Sequence, residues 1–154
     1  MRFLLVATAF CFASASAFGF EVTEESLNQY VEQGLAKRGN RDPQFLNPKV
    51  SLFDGYATIC AKVRMAVFSK DVDFCADMTP LWRQESGSLL ASKMMMRTLN
   101  APGVSEKDIG LVKVILNQVI LPGLEGIEVY KADNFIGKQI SWVKVLPGKL
   151  EMGF

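Results

Sequence analysis

The chain contains no histidine. That absence excludes Ser-His and Cys-His nucleophile pairs and every zinc or haem site that needs an imidazole ligand. Cysteine is scarce as well. Of the three present, Cys11 lies in an N-terminal apolar stretch, and the other two cannot build a four-thiolate metal site. Beyond that stretch, no apolar run approaches the about 20 residues that a membrane-spanning helix needs. Net charge is nearly absent too. Seventeen lysines and arginines face 16 aspartates and glutamates, so no bulk field draws the chain to nucleic acid or to an anionic membrane. No internal repeat, low-complexity run or linker divides the sequence, and its length suits one domain with one hydrophobic core.

What is present begins with the first 17 residues, MRFLLVATAFCFASASA. One basic residue, Arg2, precedes an apolar run from Phe3 to Phe12, and small residues follow up to Ala15-Ser16-Ala17. This is the layout of a secretory signal peptide, with cleavage expected after Ala17 and a mature domain over residues 18–154. Removing the leader takes Arg2 and leaves equal numbers of acidic and basic residues, with Cys60 and Cys75 as the remaining cysteines. A lipid-attachment signal needs a small residue directly before its cysteine and a leucine three before. Cys11 follows Thr8-Ala9-Phe10, so a soluble periplasmic protein is expected rather than a lipid-anchored one.

Along the mature chain the apolar period changes twice. Thr23 is placed as the N-cap of a first helix, with Glu24 and Glu25 in its first turn and Val22 and Leu27 as a hydrophobic staple. Leu27, Tyr30, Val31, Gly34 and Leu35 recur at helical spacing, and Lys37-Arg38-Gly39 reads as the helix end. From Pro48 the period becomes two. Asp54-Gly55 predicts a type I′ hairpin turn that sets Leu52 opposite Ala57 and Val50 opposite Ile59. Ala61, Val63 and Met65 continue that face; on the next strand Val72, Phe74, Ala76 and Met78 join it. A loop over 66–69 would pair Cys60 with Cys75, Lys62 with Asp73 and Arg64 with Asp71. One register thus satisfies two opposite-charge pairs and a disulfide. Two unpaired thiols on neighbouring strands are the alternative.

A fourth strand, about Ser88 to Leu99, is expected to turn Leu90, Met94 and Met96 inward and Lys93 and Arg97 outward. Ser105 then caps a second helix, with Asp108 at the capping-box position. Its stripe is Ile109, Val112, Ile115, Leu116, Val119 and Ile120, and Pro122-Gly123 is expected to end it. A short strand from Ile127 to Tyr130 and a hairpin turned at Pro147-Gly148, with Val143, Val145, Leu150 and Met152 alternating, complete an α+β domain.

The helix VTEESLNQYVEQGLAK, the segment NPKVSLFDG, the block PLWRQESGSLLASKMMM and the closing VKVLPGKLEMGF together resemble the YceB-like family of small exported bacterial proteins. The resemblance implies a tubular lipid-binding (TULIP-like) fold, a curved antiparallel meander wrapped around a long apolar helix, here with an additional N-terminal helix. It also implies a periplasmic protein that binds a lipid or other apolar ligand. It carries over no catalytic residues. The sequence departs from the family in lacking a lipid-attachment cysteine motif and in its tight hairpin at Asp54-Gly55.

The expected apolar cavity lies between sheet and second helix, lined by Val63, Met65, Phe74, Met78, Leu90, Met94, Met96, Val112, Ile115, Leu116 and Val119. Methionine suits surfaces that must accept variable apolar ligands. A filled core is the alternative for the same residues, which would leave an envelope module that binds a protein partner through an edge strand or the first helix. Met94, Met95 and Met96 are consecutive in a strand and alternate faces, which argues against convergent thioether ligands for copper. Val67 and Phe68 at a hairpin tip either dip into a membrane or fold back on the core, and Trp82 and Trp142 serve as core anchors or rim residues. Ser141-Trp142-Val143-Lys144 matches S-x-x-K, but the S-D-N and K-T-G elements of that chemistry are missing. Glu24-Glu25 and Asp71/Asp73 are carboxylate pairs of a helix start and a strand's polar face, not an acid–base couple. A non-catalytic protein without cofactor, metal or nucleic-acid partner is expected.

Overall fold

In the computed structural model the described residues are 19–36, 42–67 and 70–154. The expected leader, the expected end of the first helix at Lys37-Arg38-Gly39, and Phe68 lie outside them. The elements in chain order are β1 (Gly19–Thr23), α1 (Glu24–Ala36), β2 (Gln44–Leu52), β3 (Ala57–Arg64), β4 (Val72–Arg83) and β5 (Ser88–Asn100). There follow α2 (Glu106–Ile115), a π-helical turn (Leu116–Ile120), α3 (Leu121–Leu124), β6 (Glu128–Lys131), α4 (Asn134–Gly137), β7 (Trp142–Leu146) and β8 (Lys149–Gly153). Strands β2 to β6 form an antiparallel sheet in sequence order, strongly curled into a half-barrel. A second sheet has the order β1-β8-β7.

The central hairpins follow the expected register. Leu52 faces Ala57 and Val50 faces Ile59. Across the next pair Cys60 faces Cys75 and Lys62 faces Asp73, with a Cys60–Cys75 disulfide. Arg64 and Asp71 form an ion pair at 2.8 Å just beyond the ladder. The turn at Asp54-Gly55 differs from the expected type I′. Gly55 alone adopts a left-handed φ, +80°, whereas type I′ needs it at both central residues.

Curling comes from bulges. On β2 an extra residue falls between Leu46 and Lys49, where Asn47 takes φ +49°. Strand β5 carries two, one opposite the Cys75/Ala76 step and one opposite the Asp77/Thr79 step. Each bulge bends the strand and moves its side chains to the other face. The inward set on β5 is therefore Leu89 and Ala91, then Met94 and Met96, then Leu99. Leu90 is a correction to the expected inner face. It pairs with Leu81 and is buried outside the main core cluster, because the bulge shifts the parity of the strand.

Ser105 caps α2 as expected, accepting a hydrogen bond from the Asp108 N–H at 3.2 Å. The helical run does not end at Pro122-Gly123. It continues through the π turn to Leu124. The wide turn makes room for Pro122, whose ring would otherwise meet the carbonyl four residues earlier. It also rotates the apolar stripe by one residue. Val112, Leu116, Ile120, Leu121 and Leu124 are buried, while Val119 is 61% exposed, contrary to its expected inward placement.

Helix α1 crosses between the two outermost strands of the half-barrel. Its N-cap is Thr23, whose Oγ1 accepts from the Ser26 N–H at 3.2 Å, and Leu27 and Val31 enter the core. The Asn28 carboxamide accepts from the Val50 N–H at 2.6 Å and donates to the Val50 carbonyl at 2.9 Å. Glu24 accepts from the Leu52 N–H at 2.8 Å, and the Gly148 N–H donates to the Leu52 carbonyl at 3.3 Å. The outward backbone groups of β2 at Val50 and Leu52 thus all have partners, as buried main-chain groups require. Strand β1, unassigned in the sequence reading, pairs with β8 from Gly19↔Gly153 to Thr23↔Lys149. Trp142, exposed rather than a core anchor, lies against Gly153, where its ring occupies the space of a Cβ.

Replacing Asn28 by Ala is expected to cost about 2 kcal/mol in urea unfolding, because two edge groups of β2 lose their partners. An unchanged midpoint would contradict the edge-closing role. The Cys60→Ser/Cys75→Ser double variant is expected to lose about 3 kcal/mol, given a closed loop of 15 residues. Without reductant, neither Cys60 nor Cys75 should react with a maleimide; labelling of either would refute the disulfide.

Candidate functional site

Most residues of the expected sheet–helix cavity come together, but as packed core. Val63, Val112 and Leu116 are fully buried, and Met65, Phe74, Met78 and Met94 nearly so, all in one hydrophobic cluster. Ile115 and Met96 are half-buried against it. Leu90 and Val119 stand apart from that group, for the two reasons given above. Met95 points away from Met94, onto the exposed face.

One apolar opening lies beside this cluster. Pro43 and Phe45 at the start of β2 face Val119, Ile120, Gly123 and Leu124 across a slot of about 270 Å³. Asp42 sits at its rim, where its carboxylate accepts from the Ala66 N–H at 3.0 Å. Ile120 and Leu124 belong both to the slot wall and to the core cluster, so the slot reaches the interior from outside. Phe45 and Leu124 were absent from the sequence-derived set. Phe45 precedes the first alternating segment, separated from it by the bulge at Asn47. Leu124 lies past the proline that was expected to end the helix.

A polar cluster joins α1 to β6. The Glu128 carboxylate accepts hydrogen bonds from the Tyr30 hydroxyl and from the Ser88 hydroxyl. Burial pushes Glu128 upward, but the bonds from Ser88 and Tyr30 and the positive charge of Lys131 outweigh it and hold the group below the usual carboxylate range. Tyr30 moves the other way, up to about 12, through burial first and then its bond to Glu128 and that group's charge. The Tyr30 and Tyr130 rings lie 5.8 Å apart at 54°.

Ser141, Glu24 and Asp71 are held in structural contacts. The Ser141 hydroxyl donates to the Gly153 carbonyl at 3.4 Å, and Lys144 is exposed on β7. Glu24 and Asp71 bond to Leu52 and Arg64. Trp82 is half-buried, and its indole N–H has no partner among the described residues. Among the same residues, no three His, Cys, Asp or Glu side chains converge as a metal site, and no helix is long and apolar enough to cross a membrane.

The pH dependence follows from the polar cluster. Tyr30 ionises less readily in the folded state, so its contribution is complete below pH 10 and is lost as the pH rises toward 12. Glu128 has the opposite sense: its contribution is present above the ordinary carboxylate range and is lost in acid. The urea midpoint should fall between pH 10 and 12, and Tyr30→Phe should make that fall shallower. An equally steep fall in the variant would contradict the assignment.

No family model matches this sequence, and no curated protein is significantly similar to it.

Proposed function

We propose that this is an exported, non-catalytic protein that holds a lipid or other apolar ligand between its curled sheet and the helical run 106–124. The observation that carries the reading is the slot between β2 and that run, with Phe45, Ile120 and Leu124 on its walls and Val119 at its mouth. Its volume lies near the lower end of ligand pockets, about 300–1,000 Å³, which suits one acyl segment better than a bulky ring system. In the core cluster that Ile120 and Leu124 share, Met65, Met78 and Met94 supply side chains of the kind that rearrange readily around a guest. Each buried methylene contributes about 0.8 kcal/mol, so a ten-carbon segment supports an affinity on the order of micromolar after association costs.

In this reading the fold is of the YceB-like, tubular lipid-binding kind, and the helical run is the element that the sheet wraps. Burial of Val112, Leu116 and Ile120 within the cluster formed by the sheet supports that view. The Cys60–Cys75 disulfide supports an oxidising compartment, which for a chain with this leader is the periplasm. A second reading, an envelope module with a solid core, draws on Leu111 and Val114, which leave apolar side chains exposed on α2.

Native mass spectrometry of protein purified from the envelope should show a stoichiometric lipid adduct. A fluorescent fatty acid should bind the delipidated protein, and Val119→Asp should weaken it about tenfold with stability within about 0.5 kcal/mol of the parent, since the site is exposed. Protein that is repeatedly empty and does not bind the fatty acid would overturn the reading and favour the solid-core module.

A further inference from the structure

A second cavity, of about 300 Å³, opens between α1 and β6 and has a different chemistry from the slot. Tyr30, Val31, Gln33, Leu35, Ile127 and Glu128 line it. Its carboxylate has only neutral close partners, the hydroxyls of Tyr30 and Ser88. Among the described residues no lysine or arginine stands within ion-pair distance of Glu128, and Lys131 acts on it from further away. Two hydroxyl donors use part of a carboxylate's acceptor capacity, which amounts to about four lone-pair positions. The cavity therefore keeps on its wall a negative charge that no ion pair among the described residues neutralises.

Beside that charge stands an aromatic ring. Tyr30 lines the cavity, and its ring is set at 54° against Tyr130. Aromatic faces attract cations, and most strongly where water is partly excluded. Of the remaining walls, Val31, Leu35 and Ile127 are apolar, and the exposed Gln33 supplies one carboxamide. A bare ammonium would find side-chain acceptors only in Glu128 and the Gln33 carboxamide, and a divalent metal ion would lack the several oxygen ligands it requires. A methylated ammonium needs neither. It presents a diffuse positive charge within an apolar shell, and that shell matches this wall.

We propose that this cavity binds a small organic cation of the quaternary ammonium class, with the Glu128 carboxylate opposing its charge and the Tyr30 ring packing against its methyl groups. Tyr130 is a positioning residue that holds the Tyr30 ring. The site is separate from the slot at Val119, so the two readings stand or fall independently.

Titration calorimetry with choline and with its neutral isostere 3,3-dimethyl-1-butanol tests the proposal on the unmodified protein. Choline should bind at least about tenfold more tightly, because only it carries the charge. Glu128→Gln should weaken choline about tenfold and leave fatty-acid binding at the slot unchanged. Equal affinity for the two probes, no choline binding up to saturating millimolar concentrations, or an unaltered choline affinity in Glu128→Gln would each overturn it. The comparison of the two probes needs no variant and remains decisive if Glu128→Gln fails to fold.

Discussion

The carboxamide of Asn28 bonds both the N–H and the C=O of Val50, and in doing so occupies the edge where another strand would otherwise add to the sheet. An open sheet edge is a template for unwanted pairing, and covering it with a helix is one of the few remedies. Here the cover is specific. A primary amide sets a donor nitrogen beside an acceptor oxygen, much as a strand edge does, and Glu24 and Gly148 satisfy Leu52, the next outward-facing residue. The same helix reaches the opposite edge strand through Tyr30 and Glu128. One 13-residue helix thus spans both margins of a curled sheet.

That closure gives the interior its shape. Bulges on β2 and β5 curl the sheet, α1 bridges its edges, and the run 106–124 buries Val112, Leu116 and Ile120 in the shared core. Cavities remain at the margins where these elements meet. The slot lies where the start of β2 meets the helical run, and the tyrosine-lined cavity where α1 meets β6. The second sheet docks on the first hairpin through Gly55 N–H to the Val145 carbonyl and Gly148 N–H to the Leu52 carbonyl.

The parts of this arrangement that were legible in the sequence are those where several local signals coincide. In the β3–β4 hairpin, side-chain alternation, the Lys62–Asp73 and Arg64–Asp71 pairs and the two cysteines all require one register. Ser105 with Asp108 marked a helix start in the same way. What was not legible depends on single backbone insertions. Each bulge in β5 reverses the meaning of alternation, which moved Leu90 off the inner face. The π turn does the same for a helical stripe, which turned Val119 outward and drew Leu121 in. Asn28 carries no mark in its own segment of what it does, because its partner Val50 is 22 residues away. Tyr30 and Glu128 meet across 98 residues, and no local pattern announces such a pair.

Amide hydrogen exchange followed by NMR tests the central structural claim most directly. Val50 and Leu52 lie on the outermost strand of the sheet, where backbone N–H groups ordinarily exchange rapidly with solvent. If α1 closes that edge, both amides will be protected to the same degree as those of the inner strand β4. Exchange at Val50 and Leu52 at the rate of an exposed edge, with β4 protected, would contradict the closure on which the interior and both cavities depend.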